Sequence, residues 1–286
     1  MTDLIRSAKP ANHWSDYELT AYNITVSSRS PDEFFSTPDP SLDHIDPAIV
    51  NSPSAIVNSP AIINPPPGDA NPALSNDAFR FLRCLDNSTG TYPKLFDDCF
   101  PEEMLGLLRF TSRLIFAFPR YATPLNICGR TRKSAQANTC LVHHQAFVLL
   151  VLVEDNALTL RTKVQARVVA EAIATFQLNN KKREERGLDP LDIMNVPCII
   201  MNRTRPTFFV VPVTTELSDA VIAGQYPAVP TEVLRCATEA AHIQGTVIGM
   251  EDIEYRKLVL RRFLAFKEVA ESHQERVLEG VTIPVV

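Results

Sequence analysis

Glycine is scarce in this sequence, with nine glycines among 286 residues. The two commonest phosphate-binding fingerprints, G-x-G-x-x-G and G-x-x-x-x-G-K-[ST], use glycine so that the backbone can approach a phosphate closely. Neither pattern occurs in the chain. The sequence therefore excludes a nucleotide-binding loop of either kind.

Cysteine is also sparse, because the six cysteines are widely spaced and form no C-x-x-C pair. Residues 1–14 lack the apolar stretch of a secretory signal peptide, so we expect no disulfides. The longest apolar run, residues 146–153, has eight residues, which suits a buried strand and falls far short of the roughly 20 needed to cross a bilayer. We therefore expect an intracellular protein of the cytoplasm or nucleus, neither secreted nor bound in a membrane.

An overall excess of basic residues is missing too. The chain has 28 Lys and Arg against 33 Asp and Glu, a net charge of −5. Residues 1–75 hold three basic and nine acidic side chains, and residues 76–286 hold 25 and 24. Since nucleic-acid binders neutralise phosphates with Lys and Arg, any such binding here has to use local basic patches.

Proline is plentiful and uneven, with eleven of the 22 prolines before residue 76. Residues 48–65 repeat a short unit, AIVNSP, then AIVNSP and AIINP after it. Because proline removes a backbone donor and restricts the residue before it, we expect no regular secondary structure over residues 48–72. Residues 14–26 are apolar enough to dock onto a core. We interpret residues 1–75 as a Pro-rich, largely irregular N-terminal segment.

Residues 76–286 alternate predicted helices and strands, and 45% of the whole chain is hydrophobic, so they can bury a core. The order α-β-β-β-α-β, with more of both after it, predicts one α/β (α+β) domain with a mixed central sheet flanked by helices. Helices are predicted at 76–85, 101–117, 161–179, 216–224 and 251–279. Strands are predicted at 124–128, 139–143, 146–154, 196–201, 207–213 and 232–236.

Polar residues at the end of the predicted strand 146–154 indicate a candidate site. This strand is apolar until Glu154, Asp155 and Asn156, as expected for a central strand that leaves the core at its tip. Asn138 precedes the neighbouring predicted strand. If the two strands pair, Asn138 and Glu154 converge on one spot.

The predicted helix 161–179 faces this spot with a polar residue. On a helical wheel, Gln165 shares one stripe with Val169, Ala172 and Phe176. Gln165 either bonds a ligand at the site or is a capped polar residue at the rim of the sheet. Glu171 lies off the stripe, four residues after Arg167, so we expect a solvated ion pair between these two.

These pieces, in this order and spacing, resemble the restriction-endonuclease-like, or PD-(D/E)XK, nuclease core. The chain is most similar to an uncharacterised fungal protein family that couples this core to a Pro-rich N-terminal segment. The segments that carry the resemblance are PLNICG (124–129), SAQ (134–136), Cys140, VLVED (151–155), AEAIA (170–174), FQ (176–177), PVT (212–214) and FLAFK (263–267).

The resemblance implies a metal site with two acidic ligands and a lysine. In such a core an Asp on the second strand and the Glu of an E-x-K pair on the third bind Mg²⁺ or Mn²⁺, and the Lys helps to activate water. Glu154 matches this pattern, with Asp155 as a second candidate ligand, but Asn138 replaces the Asp and Asn156 the Lys. Both departures remove charge, so efficient cleavage is not expected.

Several basic residues lie near the predicted site. Arg130, Arg132 and Lys133 fall in a predicted loop, and Arg161 and Lys163 begin the next helix. All five are candidates for phosphate contacts, and either Arg161 or Lys163 could replace the missing lysine.

The preferred interpretation is a nuclease-fold protein that is catalytically degenerate and acts by binding nucleic acid or protein. One alternative is a divalent-metal-dependent endonuclease with a rearranged site that cleaves DNA or RNA. The other is a protein-interaction scaffold with no nucleic-acid role. The near-neutral charge of residues 76–286 favours the scaffold, and the basic residues Arg130, Arg132 and Lys133 favour nucleic acid.

Overall fold

The computed structural model of the chain describes residues 6–58, 74–89, 100–155, 161–239 and 249–282. The α-helices are α1 (Asp16–Ala21), α2 (Pro31–Phe34), α3 (Pro47–Asn51), α4 (Asn76–Thr89), α5 (Phe100–Leu107), α6 (Arg161–Glu184), α7 (Thr215–Ala223) and α8 (Ile253–Leu278). The strands are β1 (Ile24–Ser28), β2 (Ile115–Pro119), β3 (Ala122–Ile127), β4 (Arg130–Gln136), β5 (Thr139–His143), β6 (Val148–Glu154), β7 (Ile193–Asn202), β8 (Arg205–Thr214) and β9 (Thr231–Ala237).

Seven of these strands form one mixed sheet, in the order β1-β9-β8-β7-β6-β5-β2, and β3 and β4 form a separate hairpin. The pairs β6–β7 and β1–β9 are parallel and the other pairs are antiparallel. The predicted mixed α/β class is confirmed. Among the described residues, no helix has both the length and the apolar character needed to cross a membrane.

Central strand β6 is buried on both faces, as its apolar sequence predicts. Val151 lies opposite Cys140 of β5 and Cys198 of β7. Burial raises the pKa of both thiols, and the nearby Glu171 carboxyl of α6 raises it further. This row of side chains therefore faces α6.

The adjacent row of the same strands faces α8. Leu152 of β6 lies opposite Ile199, which lies opposite Phe208. The ring centroid of Phe208 is 4.8 Å from that of Phe266 in α8. Because successive side chains of a strand point to opposite faces, Glu154 shares the α8 face with Leu152.

The N-terminal part of the chain belongs to this core. Strand β1 pairs in parallel with β9, and Trp14, which was expected to dock, is 1% exposed. The expectation that residues 48–72 lack regular structure is wrong for Ala48–Asn51, in helix α3, and for Ser54–Asn58, which forms a 3-10 helix. Helix α3 forms there because Pro47 occupies its first turn, where no donor is lost, and the Asp46 carboxylate caps the Ala48 N–H.

Two further differences concern the predicted elements before the candidate site. The helix predicted over 101–117 ends at Leu107, and Ile115–Pro119 forms β2. The loop predicted to hold Arg130 is strand β4, because Cys128 and Gly129 both have positive φ and make the tight turn of a hairpin. Charged side chains on an exposed strand resemble a loop when only composition is considered.

The predicted order α-β-β-β-α-β is not the observed one, because five strands, β2 to β6, lie between α5 and α6 where three were predicted. The predicted strand 124–128 corresponds to β3, which pairs with β4 in the separate hairpin and does not belong to the seven-stranded sheet. Residues 59–73, which complete the predicted irregular stretch, lie outside the described residues. The division of the chain at residue 75 stays a prediction.

Candidate functional site

Asn138 lies between β4 and β5 and joins the end of β6 to helix α6. Its Oδ1 atom accepts a hydrogen bond from the Glu154 backbone N–H at 3.0 Å and one from Arg167 Nη2 at 3.2 Å. The two strands are neighbours, as predicted. The amide of Asn138, however, contacts Glu154 through the backbone, and its oxygen already accepts two donors.

The register separates Asn138 from the carboxylate of Glu154. Asn138 contacts α6 through Arg167, whereas alternation along β6 gives the Glu154 side chain the α8 face. Asp155 continues the pairing with β7, since its N–H donates to the Met201 carbonyl at 2.8 Å. Its Oδ2 atom accepts from Asn202 Nδ2 at 3.4 Å.

Arg167 is the cation beside Asn138. Its Nη2 atom also donates to the Gln136 carbonyl at 2.7 Å, and its Nε atom lies 3.9 Å from Glu171 Oε1. The predicted pair of Arg167 and Glu171 is therefore present. It is not solvated, because Glu171 is 2% exposed. We call Gln136, Asn138, Arg167 and Glu171 the arginine cluster.

Burial decides the protonation of Glu171. It raises the pKa of this carboxyl to about 8, against the lowering effects of the Arg167 guanidinium and of a hydrogen bond from the Gln136 backbone. Glu171 Oε1 and Arg167 Nε are both buried atoms that make no hydrogen bond with the described residues. At 3.9 Å they attract each other through charge when Glu171 is ionised, which a pKa of about 8 allows mainly above neutral pH.

Gln165 and Asn156 keep their predicted roles as hypotheses. The stripe that Gln165 heads is buried at Val169, Ala172 and Phe176, and Gln165 itself is half-buried. Asn156 lies outside the described residues.

The five candidate phosphate-binding residues do not form one described cluster. Arg130 and Lys163 are exposed and Lys133 is half-buried. The side chains of Arg132 and Arg161 lie outside the described part of the chain.

The residues around Asn138 do not fit a tight Mg²⁺ or Mn²⁺ site. The Oδ1 atom of Asn138 accepts two hydrogen bonds, one of them from a guanidinium, and the Glu154 carboxylate belongs to the other face. A permanent cation at this distance opposes the binding of a second one. The described residues contain no group of three or more His, Cys, Asp or Glu side chains able to hold a metal ion.

A positively charged stretch near the site is not visible in the net charges of residues 1–75 and 76–286. Residues 104–153 contain no Asp or Glu and six Lys or Arg. This stretch includes β2, the hairpin β3–β4, β5 and most of β6. The positive charge of this stretch was missed because acidic residues elsewhere in 76–286 balance it. The signal that would have revealed it is the long run without Asp or Glu.

No family model and no curated protein matches this chain. The resemblance to the PD-(D/E)XK core therefore stays a prediction from the sequence segments quoted above.

Proposed function

We propose that this chain is a nuclease-fold protein whose catalytic site is degenerate and that it acts by binding nucleic acid without cleaving it. We expect it to do so inside the cell, in the cytoplasm or the nucleus. Three things support this proposal: the resemblance of the sequence to the PD-(D/E)XK core, the arginine cluster, and the absence of acidic residues from 104–153.

The observation that carries the loss of catalysis is Arg167. A nuclease of the resembled kind concentrates negative charge around Mg²⁺. Here a guanidinium donates to Asn138 and to the Gln136 carbonyl. The arginine fixes this end of the strands by hydrogen bonds and puts a positive charge beside Asn138, where the resemblance would place a metal ion and its acidic ligands.

The observation that supports nucleic acid as the partner is the charge of residues 104–153. Six basic and no acidic side chains in this stretch give a local positive field on a chain that is acidic overall. Phosphate contacts supply most of the sequence-independent affinity for nucleic acids. A scaffold that binds only protein has no need to segregate charge in this way.

Calorimetric titration with Mn²⁺ tests the degenerate site. We expect no binding to the wild type, because Arg167 opposes a second cation. Asn138→Asp alone should change little, since the new carboxylate pairs with Arg167 at the present 3.2 Å. Asn138→Asp with Arg167→Gln should bind Mn²⁺, because it adds an anionic ligand and removes the cation.

Lys181→Gln, which removes an exposed cation near the end of the same helix, is the matched control and should leave Mn²⁺ binding as in the wild type. Stoichiometric Mn²⁺ binding by the wild type that Glu154→Ala abolishes would show a rearranged metal site instead. If the Asn138→Asp, Arg167→Gln protein folds and binds no Mn²⁺, Arg167 is not what excludes the metal.

A further inference from the structure

Edge strand β2 carries an exposed row of aromatic rings. Phe116 and Phe118 are 44% and 43% exposed. Their ring centroids are 6.3 Å apart, and that of Tyr121 lies 6.1 Å from Phe118. We call Phe116, Phe118 and Tyr121 the aromatic ledge. Apolar rings of this size are normally buried, so two exposed phenylalanine rings beside the half-buried Tyr121 indicate a binding surface.

The ledge lies on the face of the sheet that α6 covers and ends at the arginine cluster. Phe118 lies opposite Cys140 of β5. Burial raises the pKa of the Cys140 thiol, and the Glu171 carboxyl lies close enough to raise it further. The Arg120 N–H, next to the ledge, donates to the Asn138 carbonyl at 2.7 Å. The ledge therefore lies next to the arginine cluster, in which Glu171 is buried.

The charge beside the ledge is positive. Arg113 precedes β2 and is exposed, Arg120 follows it and is exposed, and no acidic residue occurs between them. A surface with two exposed rings between two guanidinium groups suits a ligand with flat apolar faces joined by anions. Unstacked nucleobases on a phosphate backbone have this chemistry.

The backbone of β2 is unsuited to the main alternative, the addition of a peptide strand to the edge. Pro119 has no N–H to donate, and Arg120 has a φ of 52°, which turns the chain out of the extended conformation. Proline on an edge strand is a common obstacle to strand pairing. The side chains of this edge strand are therefore accessible, whereas its backbone is poorly suited to pairing with a further strand.

We propose that the aromatic ledge binds single-stranded nucleic acid, with bases stacked on Phe116 and Phe118 and phosphates paired with Arg113. This inference deepens the proposed function and rests on it. A duplex is not the expected ligand, because its bases are already stacked on one another and expose no faces to a ring.

Fluorescence anisotropy with a labelled oligothymidine, an oligouridine and a DNA duplex of the same length tests this inference. We expect the wild type to prefer the single strands. Phe116→Ala with Phe118→Ala should weaken single-strand binding by about 10-fold or more, and Phe118→Trp should retain it. Arg113→Gln should reduce the slope of log K against log salt by about 0.7.

Tyr17→Ala, which removes a ring that is 40% exposed on α1, is the matched control and should bind as the wild type does. Circular dichroism checks that each variant folds, which is expected because the altered rings are at the surface.

The outcomes separate the two proposals. Binding that prefers single strands and ignores the Phe116 and Phe118 changes overturns the ledge and leaves the proposed function standing. A preference for the duplex also overturns the ledge alone. No binding to any of the three probes overturns the proposed function and the ledge with it. A change in oligomeric state by the double variant, without an effect on binding, makes the ledge a contact between copies of the chain and overturns the inference.

Discussion

At the scale of the residue, Arg167 and Glu171 are the most informative pair. They are one helical turn apart, yet Glu171 is almost fully buried, and its Oε1 atom lies at ion-pair distance from Arg167 Nε without forming a hydrogen bond to it. Such a carboxyl is costly to ionise. Its burial makes folding stability depend on pH.

Glu171→Gln should remove part of that dependence. The pKa of Glu171 is about 8 in the folded protein against 4.5 in its unperturbed state. Between these values the folded state binds more protons than the unfolded state, so Glu171 contributes stability below pH 4.5 that is lost as the pH rises through 8. The wild type should therefore lose on the order of a few kcal/mol across this range relative to the variant.

Denaturant unfolding of both proteins from pH 5 to pH 9 measures this difference. Glu184→Gln, at an exposed position at the end of the same helix, should keep the wild-type slope. Equal slopes for the wild type and Glu171→Gln would mean that Glu171 is ionised throughout and that Arg167 fully compensates its burial.

At the scale of the element, periodicity alone predicted the core well. The strand at Thr139–His143 and the starts of α4 and α6 agree with the sequence-based bounds, because long apolar patterns determine them. Strands β2 and β4 were missed, since one continues a helical pattern past Leu107 and the other is made of charged residues on an exposed hairpin. Both depend on turns formed by positive φ at Arg109, Cys128 and Gly129, and only the glycine of these suggests such a turn.

The site was predicted in part for a similar reason. The strand that follows Asn138 and the strand that ends at Glu154 were correctly predicted to be neighbours, because only a short turn joins β5 to β6. The pairing register determines on which face of the sheet each side chain lies, because a shift of one residue moves every side chain of the strand to the opposite face. The sequence does not fix this register here, because β6 is apolar on both faces.

Helix α8 holds the N-terminal segment to the core through one buried arginine. Arg256 is 0% exposed, and its guanidinium donates to the carbonyls of Met250, Ile49 and Ser52. Burial lowers the pKa of Arg256 to about 10, so it remains charged at neutral pH. These bonds attach the end of α3 to α8.

Arg256→Met should therefore destabilise the protein by about 2–4 kcal/mol, because it leaves three carbonyls without their donor. Arg261→Met, at a half-buried position on the same helix, should cost much less. Thermal and denaturant unfolding of the two variants measure the difference. Similar losses for both would mean that the N-terminal segment is held by apolar packing and not by these hydrogen bonds.

At the scale of the whole molecule, the fold combines two surfaces of different character. The acidic N-terminal part contributes β1 at one end of the sheet, and the part without acidic residues contributes β2 at the other. The overall charge of −5 hides this separation. An electrostatic field divided in this way orients an anionic polymer toward the β2 end.

The central claim is that the protein binds nucleic acid and does not cut it. A labelled single strand is incubated with the wild type in Mg²⁺ and in Mn²⁺, and each sample is divided between a native gel and a denaturing gel. We expect a shifted complex on the native gel and full-length strand on the denaturing gel. Metal-dependent cleavage of the strand that Glu154→Ala abolishes would contradict it.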